Sequence, residues 1–322
     1  MGFFSGRKVV VTGANGFIGS NLVKRLLSSH AEVVCITRPG ADLWRLADIK
    51  QDITLVPHDL QYKMSDLTRS SVRIADFIYH LGASGVNQSF TDNTSMISAN
   101  VGGTVEMLTA ALDWGVSRFI YCGSCFEYGS GTWLSEDHLP HPMNQYAASK
   151  SAAWMHLNAF ARQYDLDVVS LRPFTVYGPF EGGFRLVAQT ISRALEGTPI
   201  QLTKGEQSRD FVYVDDLVDA FLLAASAPGV SGETINVCTG VATSVRSIVE
   251  TILRITGTAS EPEFGALPYR DVELWELSGN PDKARRLLKW EPVRSLDDGI
   301  EQTVNWLSGA SADIQHYYSG RQ

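Results

Sequence analysis

The chain is short of cysteine, of positive charge and of long apolar runs. Its 322 residues include four cysteines, Cys35, Cys122, Cys125 and Cys238. Cys122 and Cys125 have C-x-x-C spacing. No second pair and no nearby His-x-x-x-His completes a zinc set, so no metal is expected. Lys and Arg number 27 against 35 Asp and Glu, for a net charge of −8. That balance argues against general affinity for a nucleic-acid backbone. No stretch reaches the roughly 18 apolar residues of a membrane span, and the N-terminus lacks the apolar core of a secretion signal. A cytoplasmic protein with no membrane or nucleic-acid partner is expected. Repeats and low-complexity segments are absent too. What is present, 44% hydrophobic and 19% charged residues, suits an ordinary globular chain of roughly one or two domains.

The pattern along the chain is strand and helix in alternation. Lys8–Thr12 is a β-branched run that ends in glycines. Phe17–Leu27 has the apolar spacing of a helix, and Glu32–Thr37 is a second strand. Strand, glycine turn, helix, strand is a βαβ unit, which requires a parallel sheet. Further strands are expected at Ile53–Pro57, Phe77–Leu81, Phe119–Cys122 and Val168–Arg172, with helices near 97–114 and 145–164. The fold class is α/β, with a doubly wound parallel sheet. After Arg172, the cluster Pro173, Gly178, Pro179, Gly182 and Gly183 reads as an ordered loop. Ile235–Val237 reads as a strand that rejoins the sheet. Residues 1–174 and about 208–240 then form one domain, and about 175–207 and 241–322 a smaller α+β substrate-binding lobe.

Two motifs carry chemistry. Gly13, Gly16 and Gly19 follow the first strand and open the helix. Such a turn lets a backbone approach a pyrophosphate, which the helix N-terminus attracts. The alternative is an unrelated glycine turn. The second strand ends in Thr37-Arg38 with no acid. An acid there accepts the ribose hydroxyl of NAD, whereas a guanidinium suits the 2′-phosphate of NADP. Arg38 therefore favours NADP(H) among the NAD(P) cofactors, unless it is a solvated surface residue. Asp59 could accept from an adenine amino group or cap a helix. The second motif is Tyr146-Ala147-Ala148-Ser149-Lys150. Four residues apart on a helix, Tyr146 and Lys150 share a face. A lysine cation there would lower the phenol's pKa and suit it to proton transfer at a carbinol oxygen. Ser124, just beyond the strand Phe119–Cys122, could bond that oxygen. The bland alternative is a surface tyrosine with a salt-bridged lysine and a loop serine.

Together with Tyr79–Ala83, Asn100–Thr104, Tyr128-Gly129, Arg172–Pro179, Arg209–Asp216 and Lys289–Pro292, these residues resemble the extended short-chain dehydrogenases/reductases. The similarity is to their nucleotide-sugar epimerase/dehydratase/reductase branch and spans nearly the whole chain. It implies a Rossmann-type sheet and Ser124, Tyr146 and Lys150 as the catalytic set. Gly13, Gly16, Phe17, Ile18, Gly19, Arg38, Asp59, Leu60 and Leu81 would line the cofactor with Tyr146 and Lys150, and Lys150 would also bind the nicotinamide ribose. Asn100 would brace the catalytic helix. Arg209 and Arg270 would hold the diphosphate of a nucleotide-diphosphate sugar, or else form surface pairs such as Arg209 with Asp210. Cys125, Glu127 and Thr175 would face the sugar, with Glu127 alternatively capping its loop. The resemblance also implies a homodimer through the helices near 103–114 and 146–164, which could instead simply cover the sheet. Cys125-Phe126 stands where sugar 4,6-dehydratases carry Asp-Glu, which counts against a dehydratase. The expected reaction is reduction of a 4-keto sugar nucleotide. The alternatives are C4 epimerisation with bound NAD, a dehydratase and a non-catalytic dinucleotide sensor.

Overall fold

A computed structural model describes residues 2–85 and 92–318. In chain order the strands are β1 (Lys8–Thr12), β2 (Glu32–Thr37), β3 (Thr54–Pro57), β4 (Phe77–His80), β5 (Arg118–Cys122), β6 (Gly131–Leu134), β7 (Val168–Pro173), β8 (Thr175–Tyr177), β9 (Ile200–Leu202), β10 (Ser208–Tyr213), β11 (Thr234–Val237), β12 (Ala242–Ser244), β13 (Pro262–Phe264) and β14 (Glu276–Gly279). The main sheet has seven strands in the order β11-β7-β5-β4-β1-β2-β3. Every neighbouring pair in it is parallel. The sheet is the doubly wound Rossmann-like α/β arrangement that the alternation of elements predicts. β11 does rejoin it, beside β7.

A parallel sheet covered on both faces needs strands that are apolar throughout. Val9, Val10 and Val11 of β1 are all fully buried. Their side chains alternate between faces. Val9 and Val11 pack with Leu22 and Leu26 of the helix Phe17–Ser28. Val10 packs in the opposite layer with Met107 and Leu108 of the helix Gly103–Asp113 and Leu157 of the helix Gln145–Tyr164. The chain runs outward from β1 to β3, then crosses back to β4 and continues the other way. The order therefore reverses between β1 and β4, and a crevice opens there beyond the carboxyl ends of the strands.

A smaller sheet runs β12-β10-β14-β6, with β8 also paired to β10. β10 and β12 are antiparallel and the other pairs parallel. A third apolar cluster joins the helices Leu186–Glu196, Val245–Thr256 and Leu296–Ser308 through Ile191, Ile248, Ile252 and Ile300. Two expectations are corrected here. Thr175–Tyr177 is a strand, not loop, because β10 supplies its partner. β10, grouped by sequence with the large sheet, pairs within the small one. No helix among the described residues is long and apolar enough to cross a membrane.

Candidate active site

The glycine turn is built by close backbone approach. Gly13 has φ +67°, and a Cβ on it would lie 2.7 Å from the amide nitrogen of Gly82. A Cβ on Gly19 would lie 2.1 Å from the Gly13 carbonyl oxygen. The helix Phe17–Ser28 begins after Gly16, and no side chain caps its first amides. Those N–H groups are left to a ligand, in a cradle that any side chain would fill. The residues present fit a dinucleotide pyrophosphate. Gly19→Ala is expected to cost about 1–3 kcal/mol through overpacking. Paired thermal melting and nucleotide titration should show lowered stability together with lost dinucleotide affinity.

A cavity of about 720 Å³ opens at this turn. Its wall includes Gly13, Gly16, Phe17, Ile18, Gly19, Arg38, Asp59, Leu60 and Leu81 from the cofactor set. It also includes Ser124, Cys125, Tyr146, Lys150 and Thr175. Arg38 is exposed at the end of β2. Asp59 caps no helix: its carboxylate accepts the Gln61 N–H at 3.0 Å in a local turn.

Ser124 leaves β5 in extended conformation and is 7% exposed, and its Oγ accepts the Phe126 N–H at 3.2 Å. Tyr146 lies in the first turn of the helix Gln145–Tyr164, whose N-cap Asn144 accepts the Ala147 N–H at 2.8 Å. Asn100 braces that helix. Its Oδ1 accepts the Ser84 N–H at 2.7 Å and its Nδ2 donates to Ser149 Oγ at 2.9 Å. The Ser149 hydroxyl in turn donates to the Tyr146 carbonyl at 2.8 Å.

Lys150 departs from its expected role. Its ammonium donates to the Cys122 carbonyl at 2.8 Å and lies 4.8 Å from the Tyr121 ring centroid. Burial lowers its pKa, while Cys122 and Glu127 oppose that shift. Burial pushes the Tyr146 phenol well above the ordinary value, and the Arg185 guanidinium draws it back. The Cys122 carbonyl, rather than the phenol, holds the ammonium in this arrangement.

Three expected substrate contacts lie off the cavity wall. Glu127 is fully buried. One carboxylate oxygen accepts the Ser124 N–H at 2.8 Å, and the other meets Arg172 at 2.8 Å. The capping alternative is the one seen, because a buried carboxylate needs a buried cation and Arg172 is 1% exposed. Arg209 pairs with Glu273 at 2.9 Å and donates to the Leu274 carbonyl at 2.6 Å. Asp210 does not pair with it; that carboxylate accepts from Thr239 and Gly240. Arg270 is exposed. Cys122 and Cys125 are free thiols. Burial raises both, Cys125 to about 12, which keeps them protonated and poor as nucleophiles or ligands. No group of three or more His, Cys, Asp or Glu among the described residues could hold a metal.

Sequence reasoning missed Arg45, Glu181 and Tyr317 on the same wall. Burial raises the Glu181 carboxyl to about 7, and its Oε2 has no partner among the described residues. None of the three belongs to a spaced motif. The Pro/Gly cluster that signals the ordered loop does mark the segment carrying Glu181.

The model of the NAD-dependent epimerase/dehydratase family matches residues 9–238. A UDP-glucose 4-epimerase of Mycolicibacterium smegmatis is 34% identical, across 94% of this chain and 99% of that protein. The solved UDP-glucose 4-epimerase of Thermotoga maritima with UDP-glucose superposes with a TM-score of 0.86 at 28% identity, covering 94% of this chain and 98% of the other. A UDP-glucuronic acid 4-epimerase from Bacillus cereus, solved with UDP-glucuronic acid and NAD, gives 0.84 at 28% identity, with 93% and 98% covered. Its glycine cradle, its sheet and these matches agree: the chain belongs to the NAD-dependent epimerase/dehydratase family of extended short-chain dehydrogenases/reductases.

Proposed function

We propose that the chain is an NAD-dependent 4-epimerase of a UDP-linked hexose. The observation that carries this reading is that Ser124, Tyr146 and Lys150 open onto the same cavity as the glycine cradle. The relatives' activities support epimerisation over the ketoreduction expected from sequence. Cys125-Phe126 offers no acid–base pair for eliminating water.

When bound, the oxidised dinucleotide supplies the hydride acceptor, and later donor, for C4, and a positive ring whose charge favours the phenolate. Ser124 Oγ holds the C4 oxygen. Tyr146 would take the proton of that oxygen as C4 is oxidised and return it as C4 is reduced. Lys150 fixes the neighbouring ribose and keeps positive charge at the site. Cys125 and Thr175 form part of the sugar's surroundings. Arg209 reaches the diphosphate only if Glu273 releases it, and the exposed Arg270 is the second cation for that group. With β10 included, about 175–213 and 241–322 form the nucleotide-sugar side, and the enzyme works as a cytoplasmic homodimer.

One observation favours a second reading, an NADPH-dependent 4-ketoreductase: the Arg38 guanidinium stands at the end of β2 with no acid paired to it among the described residues. Denaturing the purified protein and identifying the released nucleotide separates the two. The epimerase reading predicts retained NAD, and interconversion of UDP-glucose with its C4 epimer without added cofactor. Protein that carries no nucleotide and consumes NADPH with a 4-keto sugar would select the reductase.

A further inference from the structure

Arg45 is a cation on the cavity wall with no role so far. It belongs to the short helical turn Trp44–Ile49 that follows β2. Its Nε donates to the Phe180 carbonyl at 2.9 Å, and its Nη2 reaches the Tyr317 hydroxyl at 3.4 Å. The guanidinium lies 4.3 Å from the Trp44 ring centroid and 5.7 Å from that of Tyr317. Trp44 itself packs against Phe180 at 5.8 Å and Tyr317 at 4.9 Å. Upstream, Asn15 in the glycine turn donates to the Asp42 carbonyl at 3.1 Å, which ties the segment leading to Arg45 to the phosphate cradle. The guanidinium is therefore held in place before any ligand arrives.

No carboxylate neutralises it among the described residues. Asp48 pairs with Lys24 and Glu181 with Arg185. The charged side chains on the wall are Arg38, Arg45, Lys150 and Arg185 against Asp59 and Glu181. Lys150 is committed to a carbonyl, Arg185 to Glu181 and Asp59 to its own turn. Among the described residues, Arg38 and Arg45 are left as guanidiniums without an acid. A preorganised planar guanidinium with unused N–H groups matches phosphate oxygens.

We propose that Arg45 is a phosphate-binding residue of the cofactor site, donating to a phosphate oxygen of the bound dinucleotide beside the amides that open the helix Phe17–Ser28. This deepens the proposed function and rests on its dinucleotide reading. The phosphate has two sources, the diphosphate common to NAD and NADP and the 2′-phosphate of NADP alone.

The test is calorimetric titration of the full chain, freed of bound nucleotide, with NAD, NADP and adenosine. Arg45→Gln should weaken dinucleotide binding by about ten- to a hundred-fold, the size of a lost charged hydrogen bond. Adenosine affinity and melting temperature should be unchanged. Equal loss for NAD and NADP assigns Arg45 to the diphosphate, and loss for NADP alone to the 2′-phosphate. Unchanged affinity for both dinucleotides overturns the proposal. So does a matching loss for adenosine, which would mean only that the Trp44–Phe180–Tyr317 packing had loosened. A parent protein that binds neither dinucleotide would instead remove the cofactor reading on which the proposal rests.

Discussion

Tyr146→Phe should lower turnover by about 10²- to 10⁴-fold, the usual share of a positioned acid–base group. The substrate KM and the melting temperature should change little. The hydroxyl makes no hydrogen bond within the described residues, while the ring keeps its edge-to-face contact with Phe126 at 6.5 Å. The substitution thus removes the proton carrier and leaves the packing. Steady-state kinetics on UDP-glucose, with bound nucleotide quantified in each preparation, checks this. A variant as fast as the parent would take the proton-transfer role away from Tyr146.

Arg172→Met should be the most destabilising single change, by about 3–5 kcal/mol, because it strands a buried carboxylate. Glu127 and Arg172 are 0% and 1% exposed and meet at 2.8 Å. The guanidinium also lies 4.6 Å from the Tyr128 ring and 5.1 Å from that of Trp154, on the helix that carries Tyr146. Loss of Arg172 therefore loosens three elements around the Ser124 loop. Adding Glu127→Gln should recover part of the stability, since the amide oxygen can still accept the Ser124 N–H and no charge is left unpaired. Denaturant unfolding of the parent, both single variants and the double variant measures the coupling. Simple additivity of the two single changes would mean that the pair does not act as a unit.

The parts of the site legible in the sequence are those built by local geometry. The Gly13, Gly16 and Gly19 spacing, the helical step from Tyr146 to Lys150 and the position of Ser124 beyond β5 each depend on a few consecutive residues. The parts that were not legible depend on partners far along the chain. β8 looks like loop because Pro173 and Gly178 flank it, and only β10 makes it a strand. The spacing from Ser124 to Glu127 is that of a capping box, yet Arg172 decides where the carboxylate points. Arg209 is claimed by Glu273, 64 positions later. The i, i+4 step places Lys150 on the same helix face as Tyr146, but it does not reveal that the Cys122 carbonyl takes the ammonium. The choice between epimerase and reductase is less local still. It depends on whether hydride returns to the sugar or arrives from solution, and no short motif encodes that.

The fate of hydrogen at C4 is the most direct test. UDP-glucose carrying deuterium at C4 is incubated with the purified protein without added cofactor, and the products are followed by NMR. Conversion to the C4 epimer with the label retained at C4 is the expected result, because the hydride leaves one face and returns to the other within a single active site. No conversion without added NADPH, or an epimer that has lost the label, would contradict it.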